Sequence, residues 1–340
     1  MENQKKQVSI KDIANKCGVS VPTVSRVLNH AGRYSAETER KVRQVIAEMG
    51  YQPSMLAKGL RTNQISNIGI IVPDITNEFF ASITLAIQNT LFDHAYTTMI
   101  CNTNEQSSVQ TKQLEMLQRS RVAGIIFISG EDITEKDLND GIAKVFVDRI
   151  PWNAKSSDAV TIEVDNYVGG QLAAGELLDA GCRRIAALFD ARGLNSQVAR
   201  YSGFVRAHQE RGVDIIRELY RPVTQVSFQE GYTATKALLK SGLPFDGIFC
   251  YADTLACGAL RALKDANISV PEQIQVTGYD NISSGQWGMP ALTTIEQPIA
   301  EMGQLAAELI LKMSKGKPLD QKNYILPVRL IRRESTKKQS

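Results

Sequence analysis

Residues 63–340 alternate between short apolar runs and amphipathic stretches with helical spacing, and this alternation leaves few possible folds. Strand-like runs cover 68–72, 97–101, 124–128, 145–147, 160–164, 185–189, 247–251 and 274–277. Helical stretches cover 79–92, 109–119, 167–180, 196–210, 232–240, 253–266 and 299–314. Strands that alternate with helices form parallel sheets covered by helices on both faces, so we predict a doubly wound α/β body.

This body is long enough for two such lobes, and its last elements are predicted to return to the first lobe. The run Thr293-Thr294-Ile295 leads into the helix over 299–314, and a final strand is predicted near 324–330. Late elements that rejoin early ones require several crossings between the lobes. We therefore predict an N-lobe of about 63–163 plus 295–323 and a C-lobe of about 164–294 plus 324–340.

The charge of the chain is unevenly distributed. Residues 1–61 carry 11 Lys/Arg and 5 Asp/Glu, a net charge of +6, whereas the remaining residues carry a net charge of −3. A small basic head on a slightly acidic body indicates a nucleic-acid-binding module joined to another domain.

The head has the pattern of a helix-turn-helix. Ser9 is a suitable N-cap for a first helix, which Gly18 can end, and Ser20 can cap a second helix over 21–29. Ser35 and Gly50 bound a third helix. Two short helices joined by a glycine-containing turn form a helix-turn-helix, so residues 1–53 are predicted to be a small all-α DNA-binding domain.

The second helix leaves small polar residues and one arginine on its outer face, which suits a recognition helix in the major groove. Arg26 can form a bidentate contact with guanine. The residues that can hold phosphates are Ser9, Thr23, Ser25 and Asn29.

Three segments of the head resemble the N-terminal signature of the lac/gal repressor family: Ile10-Lys11-Asp12-Ile13-Ala14, Gly18-Val19-Ser20 and Thr23-Val24-Ser25-Arg26-Val27-Leu28-Asn29. The resemblance continues through Gly50-Tyr51-Gln52-Pro53-Ser54 and Ala57-Lys58-Gly59-Leu60, and it extends over essentially the whole chain. It implies a two-lobed core similar to the periplasmic sugar-binding proteins. It also implies that Val21, Pro22 and Arg26 read bases, the first two through apolar contacts.

Residues 54–62 are predicted to be a hinge helix. A helix of about two turns is marginal in isolation, and Gly59 weakens it further, so a plain linker is the alternative. By the resemblance, the hinge lies in the minor groove, where Leu60 wedges between base pairs and Arg61 follows the narrow groove. Arg33, Ser35 and Ala57 complete the predicted DNA contacts.

Polar residues follow the carboxyl ends of the predicted strands, the edge at which open parallel sheets bind ligands. Carboxylates, amides and guanidinium groups can bracket neighbouring sugar hydroxyls while an aromatic face covers the ring. The candidate effector residues resemble the pentose-contacting positions of ribose-type binding proteins and repressors: Asn77, Phe79, Phe80, Asp148, Arg149, Arg200, Asp280 and Gln297. Ala252 and Val226 depart from that pattern, and Trp152 or Phe228 can supply a missing ring. Sugar acids and hexoses therefore remain open as effectors.

These features predict a sequence-specific transcriptional regulator, a repressor of a sugar-utilisation operon whose operator affinity is controlled by a small sugar. We expect a homodimer on pseudo-palindromic double-stranded DNA, because one recognition helix reads few base pairs and a two-fold dimer doubles that number. The alternative is a catabolite-control-type regulator with a phosphorylated carrier protein as corepressor, a branch that Ile126-Phe127-Ile128-Ser129-Gly130 also resembles.

Other classes lack their signatures. The chain contains no Gly-x-Gly-x-x-Gly, phosphate-loop, Gly-x-Ser-x-Gly or His-Glu-x-x-His motif, so we expect no catalysis and no cofactor. Five scattered cysteines without a Cys-x-x-Cys pair indicate neither a disulfide framework nor a metal site. No apolar run reaches 18 residues, and the first residues hold no apolar signal segment, so we expect a cytoplasmic protein without a membrane segment. These features and the basic head argue against a transport-type binding protein.

Overall fold

The computed structural model describes residues 8–28, 31–51, 66–130, 133–155 and 157–337. They fall into two compact units, one within Met1–Ile65 and the other within Ser66–Ser340. We call the first unit the head and the second unit the body. No helix among these residues is both long and apolar enough to cross a bilayer.

The head consists of α1 (Ile10–Cys17), α2 (Val21–Leu28) and α3 (Ala36–Met49). α1 and α3 begin and end at the predicted capping residues, and α2 begins after Ser20 as predicted. The Ser9 hydroxyl accepts the backbone N–H of Asp12, whose carboxylate accepts the backbone N–H of Ser9, a reciprocal capping box. Gly18 and Gly50 adopt the left-handed conformation after α1 and α3, with φ of 67° and 60°. Ser35 caps α3 as predicted.

One small apolar core joins the three helices of the head. Its buried members come from one face of each helix and are Ile13, Ala14, Cys17, Val24, Val27, Val42 and Val45. Leu28, which the helical pattern places inside, is half-buried and packs against this core. Because the apolar face of α2 packs into this core, its polar face remains available to a partner.

The first part of the body contains β1 (Asn67–Val72), α4 (Glu78–Asp93), β2 (Thr97–Asn102), α5 (Ser107–Arg119), β3 (Gly124–Phe127), α6 (Glu135–Leu138), β4 (Ala143–Val147), α7 (Trp152–Lys155) and β5 (Val160–Val164). The middle part contains α8 (Asn166–Asp179), β6 (Ile185–Asp190), α9 (Asn195–Arg211), a 3₁₀ turn (Arg217–Leu219), β7 (Tyr220–Val223), α10 (Phe228–Lys240), β8 (Gly247–Cys250), α11 (Asp253–Asp265), β9 (Gln275–Asp280) and α12 (Ser283–Gln286). The last part contains β10 (Thr293–Glu296), α13 (Ile299–Ser314), β11 (Asn323–Leu326) and β12 (Arg329–Ile331).

Two sheets divide the body into two lobes. The first has the order β11-β5-β4-β3-β1-β2 and the second β12-β10-β9-β8-β6-β7. All strand pairs are parallel except β12, which runs antiparallel to β10. Every residue of β3 and β8 is buried, as expected for strands that helices cover on both faces. The predicted doubly wound α/β fold is confirmed.

The return crossings fall a few residues away from the predicted lobe limits. β10 pairs with β9 along Thr293–Glu296 and so belongs to the second lobe, whereas 295–323 was expected in the first. β11 pairs with β5 in the first lobe, and the strand expected near 324–330 is two strands in different sheets. Pro298 and Pro327 follow β10 and β11, and the missing N–H of proline interrupts a ladder there.

The crossing before α13 brings that helix back against the first lobe. Met302, Ala306 and Ile310 of α13 belong to the apolar core that includes β1, β3 and β4. A Cβ at Gly303 would lie 2.5 Å from the Cβ of Ala86 on α4, so the two helices approach closely only because this residue is glycine. The crossing segment is therefore held between two packed lobes.

Candidate functional site

The outer face of α2 carries the residues that the sequence assigns to DNA. Val24 and Val27 are buried, whereas Pro22 and Arg26 are exposed and Val21, Thr23 and Ser25 are half-buried. Arg33 and Ser35 are exposed on the segment before α3. A half-buried row with one protruding arginine is the geometry with which a recognition helix reaches base edges.

The Arg26 side chain lies beside the turn that follows α2. Gly32 has a φ of 88°, and a Cβ built there would lie 3.4 Å from the Cδ of Arg26. The guanidinium forms no ion pair with any residue in the described part of the head. The charge of Arg26 is therefore available to an external acceptor.

Ser9 and Ser35 already serve as helix caps. The Ser9 hydroxyl donates to the Asp12 carboxylate at 2.6 Å, and the Ser35 and Thr38 hydroxyls share a hydrogen bond of 2.8 Å. Both serines lie at helix N-termini, where free backbone N–H groups favour anions. The remaining predicted DNA contacts, Asn29, Ala57, Leu60, Arg61 and the hinge segment 54–62, lie outside the described residues.

In the body, Asp148 and Arg149 follow β4 at the carboxyl edge of the first sheet. Both are buried, and Asp148 has a φ of 65°, which turns the chain sharply at the strand end. Burial raises the pKa of Asp148, while the charges of Arg200 and Arg149 act to lower it. Its Oδ1 atom is buried and forms no hydrogen bond with the described residues.

Arg200 enters the same cluster from α9 of the second lobe. Its Nε donates to Asn166 Oδ1 at 2.8 Å, its Nη1 donates to the Tyr251 carbonyl, and its guanidinium carbon lies 3.6 Å from the centre of the Tyr279 ring. A Cβ at Gly170 would lie 2.1 Å from the Arg200 carbonyl oxygen, so the glycine lets α8 and α9 pack closely enough to deliver this side chain. A buried arginine fixed by two acceptors and a ring is a rigid donor.

Asp280 and Gln297 complete the cluster from the second lobe and the crossing. Gln297 Nε2 donates to Asp280 Oδ1 at 2.7 Å, and Gln297 Oε1 is buried with no hydrogen-bond partner among the described residues. Burial raises the pKa of Asp280 to about 7, with Arg200 opposing and Asp148 reinforcing the shift. β9 continues to Asp280, whereas the sequence suggested a strand that ends at Thr277.

The aromatic residues at the start of α4 lie beside this cluster of polar side chains. Phe79 and Phe80 are both buried, with ring centres 5.4 Å apart in an edge-to-face arrangement. The Arg149 guanidinium lies 4.7 Å above the Phe80 ring. Asn77 Oδ1 accepts the Phe79 N–H at 3.0 Å, so this predicted effector residue also caps α4.

The proposed replacements for a missing ring lie elsewhere. Trp152 is more than half exposed at the rim, where its indole N–H donates to the Gly193 carbonyl at 3.4 Å. Phe228 is half exposed at the start of α10, and Val226 packs against the core of the second lobe. The structure brings neither Trp152 nor Phe228 into the buried cluster.

Hydrogen bonds join the two lobes across the cleft, and the residues that form them lie outside the predicted set: Glu105, Glu163, Arg192 and Asn195. Arg192 Nη2 donates to Glu105 Oε1 at 2.9 Å, and the same oxygen accepts Arg149 Nη1 at 2.8 Å. Asn195 Nδ2 donates to Glu163 Oε2 at 2.9 Å. Glu105 follows β2, so the strand-end rule could have found it, but Glu163 lies within a strand and gives no such signal.

A second set of hydrogen bonds joins the two lobes elsewhere along the cleft. Glu78 of α4 accepts hydrogen bonds from the backbone N–H of Ser283 and from the Ser284 hydroxyl, the latter at 2.8 Å. Burial works to raise the pKa of Glu78, but these hydrogen bonds outweigh it and lower the value. The lobes therefore stand in a closed arrangement around the Asp148, Arg200 and Asp280 side chains.

A recess of about 580 Å³ opens beside this cluster at the crossings. It is lined by Asp280 and Gln297 and by the proline-containing segments around Pro298 and Pro327. Among the described residues no group of three His, Cys, Asp or Glu side chains could hold a metal ion. The arrangement offers rigid donors and acceptors to a polar ligand.

A helix-turn-helix head and a two-lobed α/β body with a polar cleft are the two parts of a ligand-responsive DNA-binding regulator. Residues 9–54 match the family model described as bacterial regulatory proteins of the lacI family, and residues 174–336 match the periplasmic binding protein-like domain. The chain is 34% identical to the ribose operon repressor of Halalkalibacterium halodurans, over 97% of both chains. The protein therefore belongs to the LacI family of transcriptional regulators.

Solved structures agree with this assignment. A lac repressor dimer bound to operator and an anti-inducer covers 97% of this chain and is itself covered to 99%, with a TM-score of 0.86 and 25% identity. A LacI family regulator from Enterococcus faecium with bound ribose covers 79% of this chain and is covered to 98%, with a TM-score of 0.72 and 32% identity. Both share the two-lobed periplasmic-binding-protein-like fold.

Proposed function

We propose that this regulator represses a sugar-utilisation operon and that a small sugar, bound between the lobes, controls its affinity for the operator. It binds pseudo-palindromic DNA as a homodimer in the cytoplasm and carries out no catalysis. Residues 1–53 form the DNA-binding domain, 54–62 the hinge helix, and the remaining residues the effector-binding and dimerisation domain.

The buried cluster of Asp148, Arg200 and Asp280 is the observation that carries this proposal. Two carboxylates from opposite lobes flank one arginine, and all three side chains are buried. Two acceptor atoms, Asp148 Oδ1 and Gln297 Oε1, are left without hydrogen-bond partners among the described residues. Buried polar atoms without partners cost free energy, and the vicinal hydroxyls of a sugar satisfy such acceptors in pairs.

A pentose is the first effector to test. The relative named ribose operon repressor and the neighbour solved with ribose support it. The guanidinium of Arg149 above Phe80 supplies a polar edge beside an aromatic ring, which fits a small furanose or pyranose. Hexoses and sugar acids are the comparison ligands.

DNA recognition is assigned to the outer face of α2. Arg26 reads one base pair of each half-site and Val21 and Pro22 make apolar contacts. Thr23, Ser25 and Asn29 contact phosphates, while Ala57, Leu60 and Arg61 enter the minor groove from the hinge. A sugar alters DNA affinity only if it binds the DNA-competent and incompetent arrangements unequally.

Calorimetric titration of the full chain with ribose, glucose and gluconate, followed by operator binding with and without the tightest ligand, tests the proposal. Asp280→Ala is expected to abolish sugar binding and the sugar response while it leaves sugar-free operator binding nearly intact. Unchanged sugar affinity in this variant would refute the placement of the effector in this cleft. Operator binding that instead responds to a phosphorylated carrier protein would establish the corepressor alternative.

A further inference from the structure

A cavity of about 440 Å³ lies in the second lobe, outside the proposed sugar site. It opens between the start of α9 and the edge of the sheet at β6 and β7. Its walls are formed by aromatic rings and a few polar groups, among them Phe189, Gln197, Val198, Tyr201, Tyr220 and Tyr251. This volume lies within the range of pockets that enclose small organic molecules.

The rings of the cavity meet at steep angles. Tyr220 stands nearly perpendicular to Phe189 and to Tyr201, with ring centres 6.0 Å apart in both pairs, and Phe189 lies 5.8 Å from Tyr251. Perpendicular rings offer both a face and an edge to an incoming ring, the two geometries that aromatic pairs prefer. The cavity therefore favours a flat aromatic ligand over a sugar.

The cavity wall carries polar groups of different kinds. Tyr251 is 1% exposed, and its hydroxyl forms no hydrogen bond with the described residues. Arg217 is exposed on the wall of the cavity, and its guanidinium forms no ion pair within the described part of the body. The other charged wall residue, Asp190, is already neutralised because Arg192 Nε donates to its carboxylate at 2.9 Å.

We propose that this cavity is a second ligand site, which binds a planar aromatic carboxylate. The ring packs against Phe189, Tyr201 and Tyr220, the carboxylate pairs with Arg217, and a polar substituent of the ring meets the Tyr251 hydroxyl. Arginine suits this role because its planar fork binds a carboxylate through two parallel hydrogen bonds.

Tyr251 connects the cavity with the cleft. The Tyr251 ring lines the cavity, whereas its carbonyl oxygen accepts the hydrogen bond from Arg200 on the cleft side. The recess beside the sugar cluster and this cavity have no lining residue in common, so a sugar and an aromatic carboxylate can bind at the same time. This part of the inference rests on the proposed function of the cleft.

The test uses 4-hydroxybenzoate as the probe and the full chain as the protein, with saturation-transfer NMR and calorimetry in the absence and presence of ribose. One molecule is expected to bind per chain whether or not ribose is present. Arg217→Gln should weaken binding about tenfold, the typical loss for a charge-assisted hydrogen bond. Val198→Trp, at the exposed rim of the cavity, should block binding by filling the space.

Two control variants distinguish binding in this cavity from binding at an exposed arginine or in the sugar cleft. Arg206→Gln removes a charge from the exposed side of α9, where Arg206 pairs with Glu210. This variant should leave probe affinity unchanged. Asp280→Asn should lose ribose but retain the probe. If this variant keeps ribose, the sugar proposal fails while the result with the probe stands.

Three outcomes would overturn the second site. They are the absence of 4-hydroxybenzoate binding at millimolar concentration, displacement of the probe by ribose, and full binding in both Arg217→Gln and Val198→Trp.

Discussion

The reading face of α2 and the interlobe cleft differ in how the chain assembles them. The helix takes its exposed residues from one short stretch, Val21–Leu28, whereas the cleft collects side chains from segments between Asn77 and Gln297. Pro22 and Arg26 on the outer face of α2 are exposed, whereas Asp148, Arg200 and Asp280 are buried and interact electrostatically. A substitution of the exposed Arg26 therefore changes mainly binding, while one in the cleft changes both binding and stability.

The largest expected effect comes from removing the central cation of the cleft. Arg200→Ala leaves two buried carboxylates without their main counter-charge, so we expect the free energy of unfolding of the body to fall by about 3–5 kcal/mol. Arg206→Ala, on the exposed side of the same helix, is the matched control and should change stability little. Urea denaturation of the two variants measures the difference, and equal losses would show that the cluster does not depend on Arg200.

Asp280 should make the stability of the body depend on pH. Its pKa is about 7 in the folded chain and 3.8 as the ordinary value, so between these pH values the folded state holds a proton that the unfolded state has released. The contribution of Asp280 to the free energy of unfolding therefore falls as pH rises from about 4 to 7, by about 2–4 kcal/mol.

Asp280→Asn isolates this contribution because the amide keeps an oxygen that can accept from Gln297. The pH profile of this variant should be flatter than that of the wild type across the same range. Parallel profiles measured by chemical denaturation would show that Asp280 is ionised in both states.

On the head, Arg26→Ala is expected to weaken specific operator binding by about 1–3 kcal/mol and to relax the preference at one base pair of each half-site. The free energy of unfolding should stay unchanged, because the exposed guanidinium has no ion-pair partner in the described part of the head. Binding to operator variants and to random DNA is compared. An equal loss on both DNAs would place Arg26 on a phosphate instead.

The contrast between α2, which is built from one short stretch, and the cleft, which is built from distant segments, also explains what could be predicted from the sequence. Caps, turns and apolar periodicity act within a few residues, so Ser9, Gly18, Ser35 and Gly50 suffice to fix the helices of the head. In the body, buried runs such as β3 and β5 reveal the strands, and the rule for strand ends leads to Asp148 and Asp280. These signals are local, because each depends on a short stretch of sequence.

The remaining features depend on partners that are distant in sequence. β7 contains Arg221 and Pro222, which a strand tolerates at the edge of a sheet, so its residues give no apolar pattern. The residues at which the chain crosses between the lobes depend on which strands pair with β10 and β11. The Glu105–Arg192 ion pair depends on how the two lobes approach each other. Asn77, a predicted effector residue, has a further role that the strand-end rule does not show, because its side chain caps α4.

The smallest expected effect separates the two roles of Ser9. Its hydroxyl accepts the Asp12 N–H and donates to the Asp12 carboxylate, although the sequence also assigns it to a phosphate. Ser9→Ala should destabilise α1 by about 1 kcal/mol, the usual loss of a helix cap, and Ser9→Asn should restore most of it because asparagine is an equally good N-cap. Hydrogen exchange of the α1 amides in the full chain measures this change.

If Ser9 acts only as a cap, operator affinity follows the stability of α1 in both variants, because a less stable α1 lowers the fraction of head domains that are folded for DNA binding. A loss of affinity in Ser9→Asn with α1 fully protected would show instead that the serine hydroxyl contacts DNA directly.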